Sequence, residues 1–249
     1  MIKKGNKLRK IRIDELVAGR GLTESLEAAR ALIMSGSVTV DGLVVDKAGK
    51  SVAPDSEINV KERRPYVSRG GVKLAGFLDA FKMDVSGFSA LDVGSSTGGF
   101  TDCLLKRGAV SVHAVDVGRG VIDWSLRGDE RVHLIEGRNI RHLKPEEVGG
   151  PVDIAVIDVS FISLEKVLPV VKGFLKEGAS VLALVKPQFE VERNDVGRGG
   201  IVRDALQQQK AVERVVRSSL AVGYKYIASL ESPIKGAKGN REFWVWLKA

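Results

Sequence analysis

The segment Leu91-Asp92-Val93-Gly94-Ser95-Ser96-Thr97-Gly98-Gly99-Phe100 constrains this chain most, because an apolar run enters a glycine-rich turn and leaves it as a helical pattern. Glycines let backbone N–H groups approach a ligand unshielded by side chains, and the N-terminus of the following helix favours polar and anionic groups. A second apolar run, Val112-His113-Ala114-Val115, closes on Asp116. The interval of about twenty residues is that at which Rossmann-type folds set a carboxylate on a ribose diol. Turn and carboxylate together predict a nucleoside cofactor at the carboxyl ends of a parallel sheet.

The turn departs from the dinucleotide pattern G-x-G-x-x-G, which disfavours NAD. Its form, D-x-G-x-x-x-G-G-F from Asp92 to Phe100, resembles the S-adenosylmethionine loop of class I methyltransferases. That resemblance implies cofactor contacts from Asp92, Gly94, Ser95, Ser96, Gly98, Gly99 and Phe100, with Asp92 taking the ammonium of the methionine part and Asp116 accepting from the ribose hydroxyls. Glu136 and Asn139, after the third strand, stand where such enzymes contact adenine, although Glu136-Gly137 reads equally as an ordinary strand-end turn. Gly94, Ser96 and Gly98 also satisfy the G-x-S-x-G of a hydrolase nucleophile elbow, which needs a histidine well downstream of the acid. None follows His142.

At 249 residues and 44% hydrophobic, the chain can bury one good core and a second, smaller one. The formal charge is +8, with a pI near 9.6. The excess is concentrated before residue 65, where Lys3, Lys4, Lys7, Arg9, Lys10 and Arg12 open a basic segment ending in Arg63 and Arg64. Such a segment favours a polyanion, with a plain solvated basic face as the alternative. The single cysteine, Cys103, permits no intrachain disulfide, reads as a core residue and suits a reducing, cytoplasmic setting. Apolar runs such as Val181–Val185 are strand-sized, so no membrane partner is expected. No metal is expected either.

Apolar residues Ile13, Leu16 and Val17, then Leu26, Ala29 and Ile33, predict two short helices separated at Arg20-Gly21, the second capped by Thr23. A hairpin about Asp41-Gly42 and a strand at Glu57–Val60 follow. This order of helix, helix and V-x-V-D-G hairpin resembles the S4 RNA-binding domain. That family usually continues the serine of its second helix with arginine, whereas Ser25 is followed by Leu26, leaving Arg30 or Arg20 as the RNA-facing cation. The expected division is a small α+β RNA-binding domain over 1–60, a charged, proline-broken linker over 61–67 and a second domain over 68–249.

In the second domain a helix is expected over Ser68–Lys82. Strands at Ala90–Val93, Val112–Asp116, Val132–Glu136, Val152–Asp158 and Ser180–Lys186 alternate with helical segments such as Ser163–Leu175 and Asp204–Leu220. The alternation predicts an α/β fold with a mostly parallel sheet. Strands at Gly223–Ile227 and Glu242–Leu247 end it as an antiparallel hairpin, the addition expected of a Rossmann-like class I methyltransferase. The loop Pro187–Val202, rich in glycine and arginine, is expected to be mobile and to close over RNA.

Asp158 closes the apolar strand Ile154–Ile157, and Lys186 closes Val181–Val185. Either alone could mark where a buried strand meets water, but on adjacent strands the two could face one another beside a cofactor. Ser68-Arg-Gly-Gly-Val-Lys73-Leu, the glycine turn, Val156-Ile-Asp158-Val-Ser-Phe-Ile-Ser-Leu164, Leu184-Val-Lys186-Pro-Gln-Phe-Glu190 and Gly239-Asn-Arg-Glu242-Phe occur in that order. With these the chain resembles the TlyA family, historically labelled hemolysin A, and its second domain resembles FtsJ-type 2′-O-ribose methyltransferases. The resemblance implies methylation of ribosomal RNA, on a cytidine, from S-adenosylmethionine. It carries a catalytic tetrad onto Lys73, Asp158, Lys186 and Glu242.

Without it, Lys73 reads as a polar-face helix residue and Glu242 as an exposed strand residue. Lys186 is the candidate group that bonds the ribose hydroxyl and accepts or steers its proton, with Lys73 and Glu242 orienting it; base and positioned cation both remain open. Two other classes stand beside this reading. One is a non-catalytic RNA-binding or ribosome-assembly factor, against which the complete tetrad argues. The other is the pore-forming activity of the old label, for which no spanning segment is present. Short extensions at both ends imply the narrower range of such enzymes, the large ribosomal subunit alone.

Overall fold

The computed structural model describes residues 9–61 and 65–249, so Lys3, Lys4, Lys7, Arg63, Arg64 and the middle of the expected linker lie outside the described residues. The chain divides after Arg64 into two compact units.

The first unit runs β1 (Ile11–Arg12), α1 (Ile13–Gly19), α2 (Leu26–Met34), β2 (Val38–Val40), β3 (Leu43–Val45), β4 (Ser51–Val52) and β5 (Ile58–Val60). Strands β3, β2 and β5 form an antiparallel sheet in that order, and β1 pairs with β4. Asp41 and Gly42 both have positive φ, 50° and 80°, which is what a two-residue hairpin turn requires. Ile13, Val17, Ala29, Ile33 and Val38 pack as its core. Ser25, not Thr23, caps α2, its Oγ accepting from Ala28 N at 3.1 Å while Thr23 Oγ1 donates to the Ser25 carbonyl. The two expected RNA-facing cations are engaged within the unit. Arg20 donates to the carbonyls of Ser56 and Pro54, and Arg30 joins Arg12 on the fully buried carboxylate of Asp14. Hydrogen bonding by those guanidiniums holds Asp14 well below the usual carboxylate range.

The second unit runs α3 (Arg69–Ala80), β6 (Ser89–Val93), α4 (Gly99–Lys106), β7 (Ser111–Asp116), α5 (Trp124–Arg127), β8 (Val132–Glu136), β9 (Val152–Ile157), α6 (Leu168–Val171), β10 (Leu175–Val185), α7 (Pro187–Glu190), α8 (Ala205–Ala221), β11 (Lys225–Glu231) and β12 (Phe243–Lys248). One seven-stranded sheet has the order β11-β12-β10-β9-β6-β7-β8. It is parallel from β10 to β8, while β12 lies antiparallel between β10 and β11. From β6 the chain winds outward through β7 and β8 and then returns to β9, so the topological switch lies between β6 and β9, where open α/β sheets form their ligand crevice. Phe77, Leu78, Leu104 and Trp244 belong to one apolar cluster against the sheet, and Val171, Val215 and Val245 to another.

The expected helix over Ser163–Leu175 is broken into two 3-10 turns around α6, with Pro169 among residues too short a run to propagate a helix. Strand β10 begins at Leu175, ahead of the expected Ser180, with a register shift against β9 between those two residues. The 187–202 loop is built rather than open. It holds α7, a 3-10 turn at Arg193–Asp195 and a Gly197–Ile201 bridge, and buried Asn240 binds both Val202 N (3.1 Å) and the Gly200 carbonyl (2.9 Å). Among the described residues, no helix is long and apolar enough to cross a membrane.

Candidate active site

A cleft of about 1420 Å³ opens at the carboxyl ends of the parallel strands, with Gly94, Ser96, Asp116, Asn139, Asp158 and Phe161 in its wall. Gly94, at φ 84°, opens the turn after β6. A Cβ there would stand 2.5 Å from the Asp158 carbonyl oxygen, so only glycine lets β6 and β9 close at the switch point. Asp116 ends β7 with both carboxylate oxygens oriented by backbone, Oδ2 by Ser96 N at 2.8 Å and Oδ1 by Gly118 N at 2.7 Å. A carboxylate so held keeps lone pairs for further donors, and the vicinal hydroxyls of a nucleoside ribose fit that acceptor.

The other turn residues make contacts within the fold. Asp92 is fully buried and absent from the cleft wall; its Oδ2 accepts from Thr101 N (3.0 Å) and Oγ1 (2.7 Å), tying β6 to α4, and its Oδ1 has no partner. Burial, seconded by the charges of Asp158 and Asp116, pushes its carboxyl up to about 7 against the Thr101 hydrogen bonds. Ser95 is buried, Gly98 caps α4, Gly99 begins it, and Phe100 packs 5.3 Å from Trp244 in the core. Glu136 is not among the residues that line the cleft, and its Oε1 accepts from Arg127 (2.7 Å) and Gly120 N (2.9 Å). Asn139 does line the cleft, while its Oδ1 caps the 3-10 turn at Ile140–His142.

Two lysine–acid pairs stand at the same end of the sheet. Lys186 Nζ lies 2.5 Å from Asp158 Oδ1, and Lys73 Nζ lies 2.6 Å from Glu242 Oε2. Lys186 follows β10 in extended backbone, as a residue before proline must, and Asp158 is pinned by its N–H donating to the Val93 carbonyl at 2.9 Å. Antiparallel pairing sets Val185 opposite Phe243, so one further step brings Lys186 level with Glu242. Helix α3 packs Phe77 on Trp244 of β12 and thereby delivers Lys73. Glu242 is 3% exposed beneath Gly236, where a Cβ would fall on its Oε1, so that glycine admits the carboxylate. In both pairs the acid oxygen is within ion-pair distance of its ammonium but outside hydrogen-bond alignment. The acids therefore locate the ammonium charges without fixing every N–H direction.

Sequence reasoning missed the cleft's mouth. Phe161, 90% exposed and in the left-handed region at φ 63°, packs against Phe189 with ring centroids 5.1 Å apart and planes tilted by 50°. A bulky residue pays for such backbone strain and exposure only where something holds it there. Arg138, Arg141, Lys166 and Arg193 also line the cleft, giving it a basic rim. Lys186 Nζ donates to Ser160 Oγ at 2.9 Å, and buried Glu190 binds Ser163 and Leu164. The one available signal was the V-S-F-I-S segment directly after Asp158, where two hydroxyls and an aromatic crowd a strand end.

Residues 66–249 match the FtsJ-like methyltransferase family, and residues 11–58 match the S4 domain. The chain is 44% identical over 242 residues to the 16S/23S rRNA (cytidine-2′-O)-methyltransferase TlyA of Mycobacterium tuberculosis, covering 96% of this chain and 90% of that one. It is 40% identical to hemolysin A of Brachyspira hyodysenteriae, covering 94% of this chain and 98% of that one. A solved Streptococcus thermophilus structure described as a hemolysin superposes with a TM-score of 0.73 at 41% identity, over 97% of this chain and 89% of that one. By the family match over its second unit, the S4 match over its first and these full-length relatives, the chain belongs to the FtsJ-like methyltransferases, in the TlyA group.

Proposed function

We propose that this protein transfers a methyl group from S-adenosylmethionine to a ribose 2′-hydroxyl of ribosomal RNA, on a cytidine, within a ribosomal subunit or its precursor in the cytoplasm. The observation that carries the reading is the pair of lysine–acid contacts, Lys186–Asp158 and Lys73–Glu242, at strand ends beside the cleft walled by Asp116. Support comes from the family and from the full-length relative named for this reaction.

When bound, the cofactor supplies a methyl group already electrophilic on sulfonium, which needs an aligned attacker. The glycine turn from Gly94 would hold the methionine part, and Asp116 would accept from the ribose hydroxyls. Lys186 bonds the 2′-hydroxyl oxygen of the substrate, as the neutral amine accepting its proton or as the ammonium steering that proton to solvent, while Asp158 holds Lys186 Nζ in place. Lys73 and Glu242 complete the local charge so that the hydroxyl, a weak acid, attacks as a developing alkoxide beside fixed positive charge. Phe161 offers an exposed aromatic face on which a base of the RNA stacks once the target ribose enters the cleft. The basic rim and the S4 unit contact phosphates, which position the strand without reading its sequence.

Mapping 2′-O-methyl groups at nucleotide resolution in ribosomal RNA from cells with and without the gene tests the reading. A cytidine methylation present only with the gene, and restored by the purified protein with S-adenosylmethionine, is the expected result. Identical maps would refute it.

A further inference from the structure

Lys186 has a second neighbour on the loop that carries Asp158: its Nζ donates to Ser160 Oγ at 2.9 Å. An ammonium has three N–H donors, and a hydrogen bond to Ser160, on the loop that also carries the paired Asp158 charge, restricts where the other two can point. Ser160 is an exposed residue next to the strained Phe161, so its hydroxyl keeps its place only if the 158–163 loop is tied at both ends. The near end is tied by Asp158 N on the Val93 carbonyl. At the far end Glu190 Oε2 accepts from Ser163 Oγ at 2.6 Å and Oε1 from Leu164 N at 2.9 Å.

Glu190 is 3% exposed and closes α7, the single helical turn that starts directly after Lys186. That turn is itself anchored, because Arg214 donates to the Glu190 carbonyl at 3.0 Å and pairs with Glu165. The lysine backbone and the loop holding its ammonium are thus closed into one ring: Lys186, α7, Glu190, Ser163, Ser160 and back to Lys186. A buried carboxylate used only as a loop tie is an expensive choice, since burial pushes it up to about 7 against the Ser163 and Leu164 hydrogen bonds, with Glu165 raising it and Arg214 lowering it. Its two acceptors do match two donors at one loop end, which a neutral or shorter side chain would serve less well.

We infer that Ser160 and Glu190 are positioning residues for the methyl transfer: Ser160 orients the Lys186 ammonium toward the ribose hydroxyl, and Glu190 fixes the loop that presents Ser160. This rests on the proposed 2′-O-methyltransferase reading and adds to it two residues that act through Lys186.

The test is steady-state methyl transfer to purified ribosomal subunits from a strain lacking the gene, with S-adenosylmethionine affinity measured by calorimetry. Ser160→Ala, at an exposed position, is expected to lower kcat about tenfold, the order for a lost hydrogen bond to a charged group, with KM and cofactor affinity within about twofold. Ser160→Thr, which keeps the hydroxyl, should recover most of the rate. Glu190→Ala is expected to show the same split and Glu190→Gln, which keeps an acceptor for Leu164 N, to recover much of it. The double variant Ser160→Ala/Glu190→Ala should be no slower than the slower single, because both changes act through one hydroxyl. Multiplying effects, or a Ser160→Ala enzyme with unchanged kcat, would overturn the inference while leaving an active wild type and the parent reading intact. If Glu190→Ala does not fold, the Gln and Ser160 variants decide alone. A wild-type protein inactive on every subunit would overturn both.

Discussion

Asp158 and Lys186 meet at 2.5 Å across neighbouring parallel strands, the acid one residue past β9 and the lysine one residue past β10. Both backbones leave the sheet at its carboxyl edge, so the charge pair sits beside the crevice while both strands stay buried. Asp116, the proposed acceptor for the cofactor ribose, ends β7 on the far side of the switch point. On the proposed assignments binding and chemistry rest on different strands, so the two should separate by mutation.

Asp116→Ala should weaken S-adenosylmethionine binding by about 1.5–3 kcal/mol, the order for losing a charged hydrogen-bond acceptor. It also frees Ser96 N and Gly118 N, so a small loss of order in the turn is expected. Calorimetry with the purified variant checks this; unchanged affinity would remove Asp116 from the cofactor site.

Phe161 separates function from stability. Phe161→Ala should lower kcat/KM on ribosomal subunits by about tenfold or more, since stacking of one base on an aromatic ring contributes about 1–3 kcal/mol. Cofactor affinity should not change, and Phe161→Trp should retain activity. Phe161→Gly relieves the left-handed backbone, so it should melt no earlier than the wild type yet be as slow as the Ala variant. A fully active Phe161→Gly enzyme would show that the ring serves no substrate.

Much of this site was legible before the structure, and the boundary has physical causes. Asp158 and Lys186 each interrupt an unbroken apolar run, so their place at strand ends follows from period and polarity alone. The pairing of Lys73 with Glu242 is different: it depends on how α3 lies over β12, which periodicity does not encode, and family resemblance alone brought the two together. Resemblance set Glu136 where such enzymes contact adenine, with an ordinary strand-end turn as the alternative, and it could not show that Arg127, at the end of a four-residue helix, pairs with that carboxylate. Asp92 reads as a ligand because it opens the turn, yet its chain direction sends it inward to Thr101. Phe161 carries no such mark, since neither exposure nor a positive φ is written in composition.

Asp92 also predicts how stability varies with pH. Burial raises its carboxyl from an ordinary 3.8 to about 7, so the folded chain binds that proton more tightly than the unfolded one. The associated stability is present in full below about pH 4 and is lost as pH rises through about 7. Thermal melts of the wild type should therefore lose stability over that window more steeply than those of Asp92→Asn, whose side chain stays neutral. Parallel pH profiles for the two proteins would contradict the assignment.

Removing residues 1–64 should leave a folded unit, because 65–249 carries its own sheet and its own cores. That unit should bind S-adenosylmethionine with native affinity but lose most of its affinity for structured ribosomal RNA. The full chain should show the steeper salt dependence, since each further phosphate contact adds about 0.7–0.9 to the slope of log K against log salt. Filter binding across a salt series checks both expectations; equal slopes would show that the S4 unit contributes no phosphate contacts.

The most direct measurement is single-turnover transfer of labelled methyl groups by Lys186→Ala and Lys186→Arg, with cofactor and RNA binding measured on the same preparations. Lys186→Ala is expected to bind both ligands nearly normally and to transfer at least about a hundredfold more slowly, the lower end of what a positioned acid–base group supplies. Lys186→Arg should also stay slow, because a guanidinium remains charged and cannot accept the hydroxyl proton. Substantial activity in Lys186→Arg would show that a positioned cation suffices, and a near-normal rate in Lys186→Ala would contradict the assignment of the chemistry to Lys186.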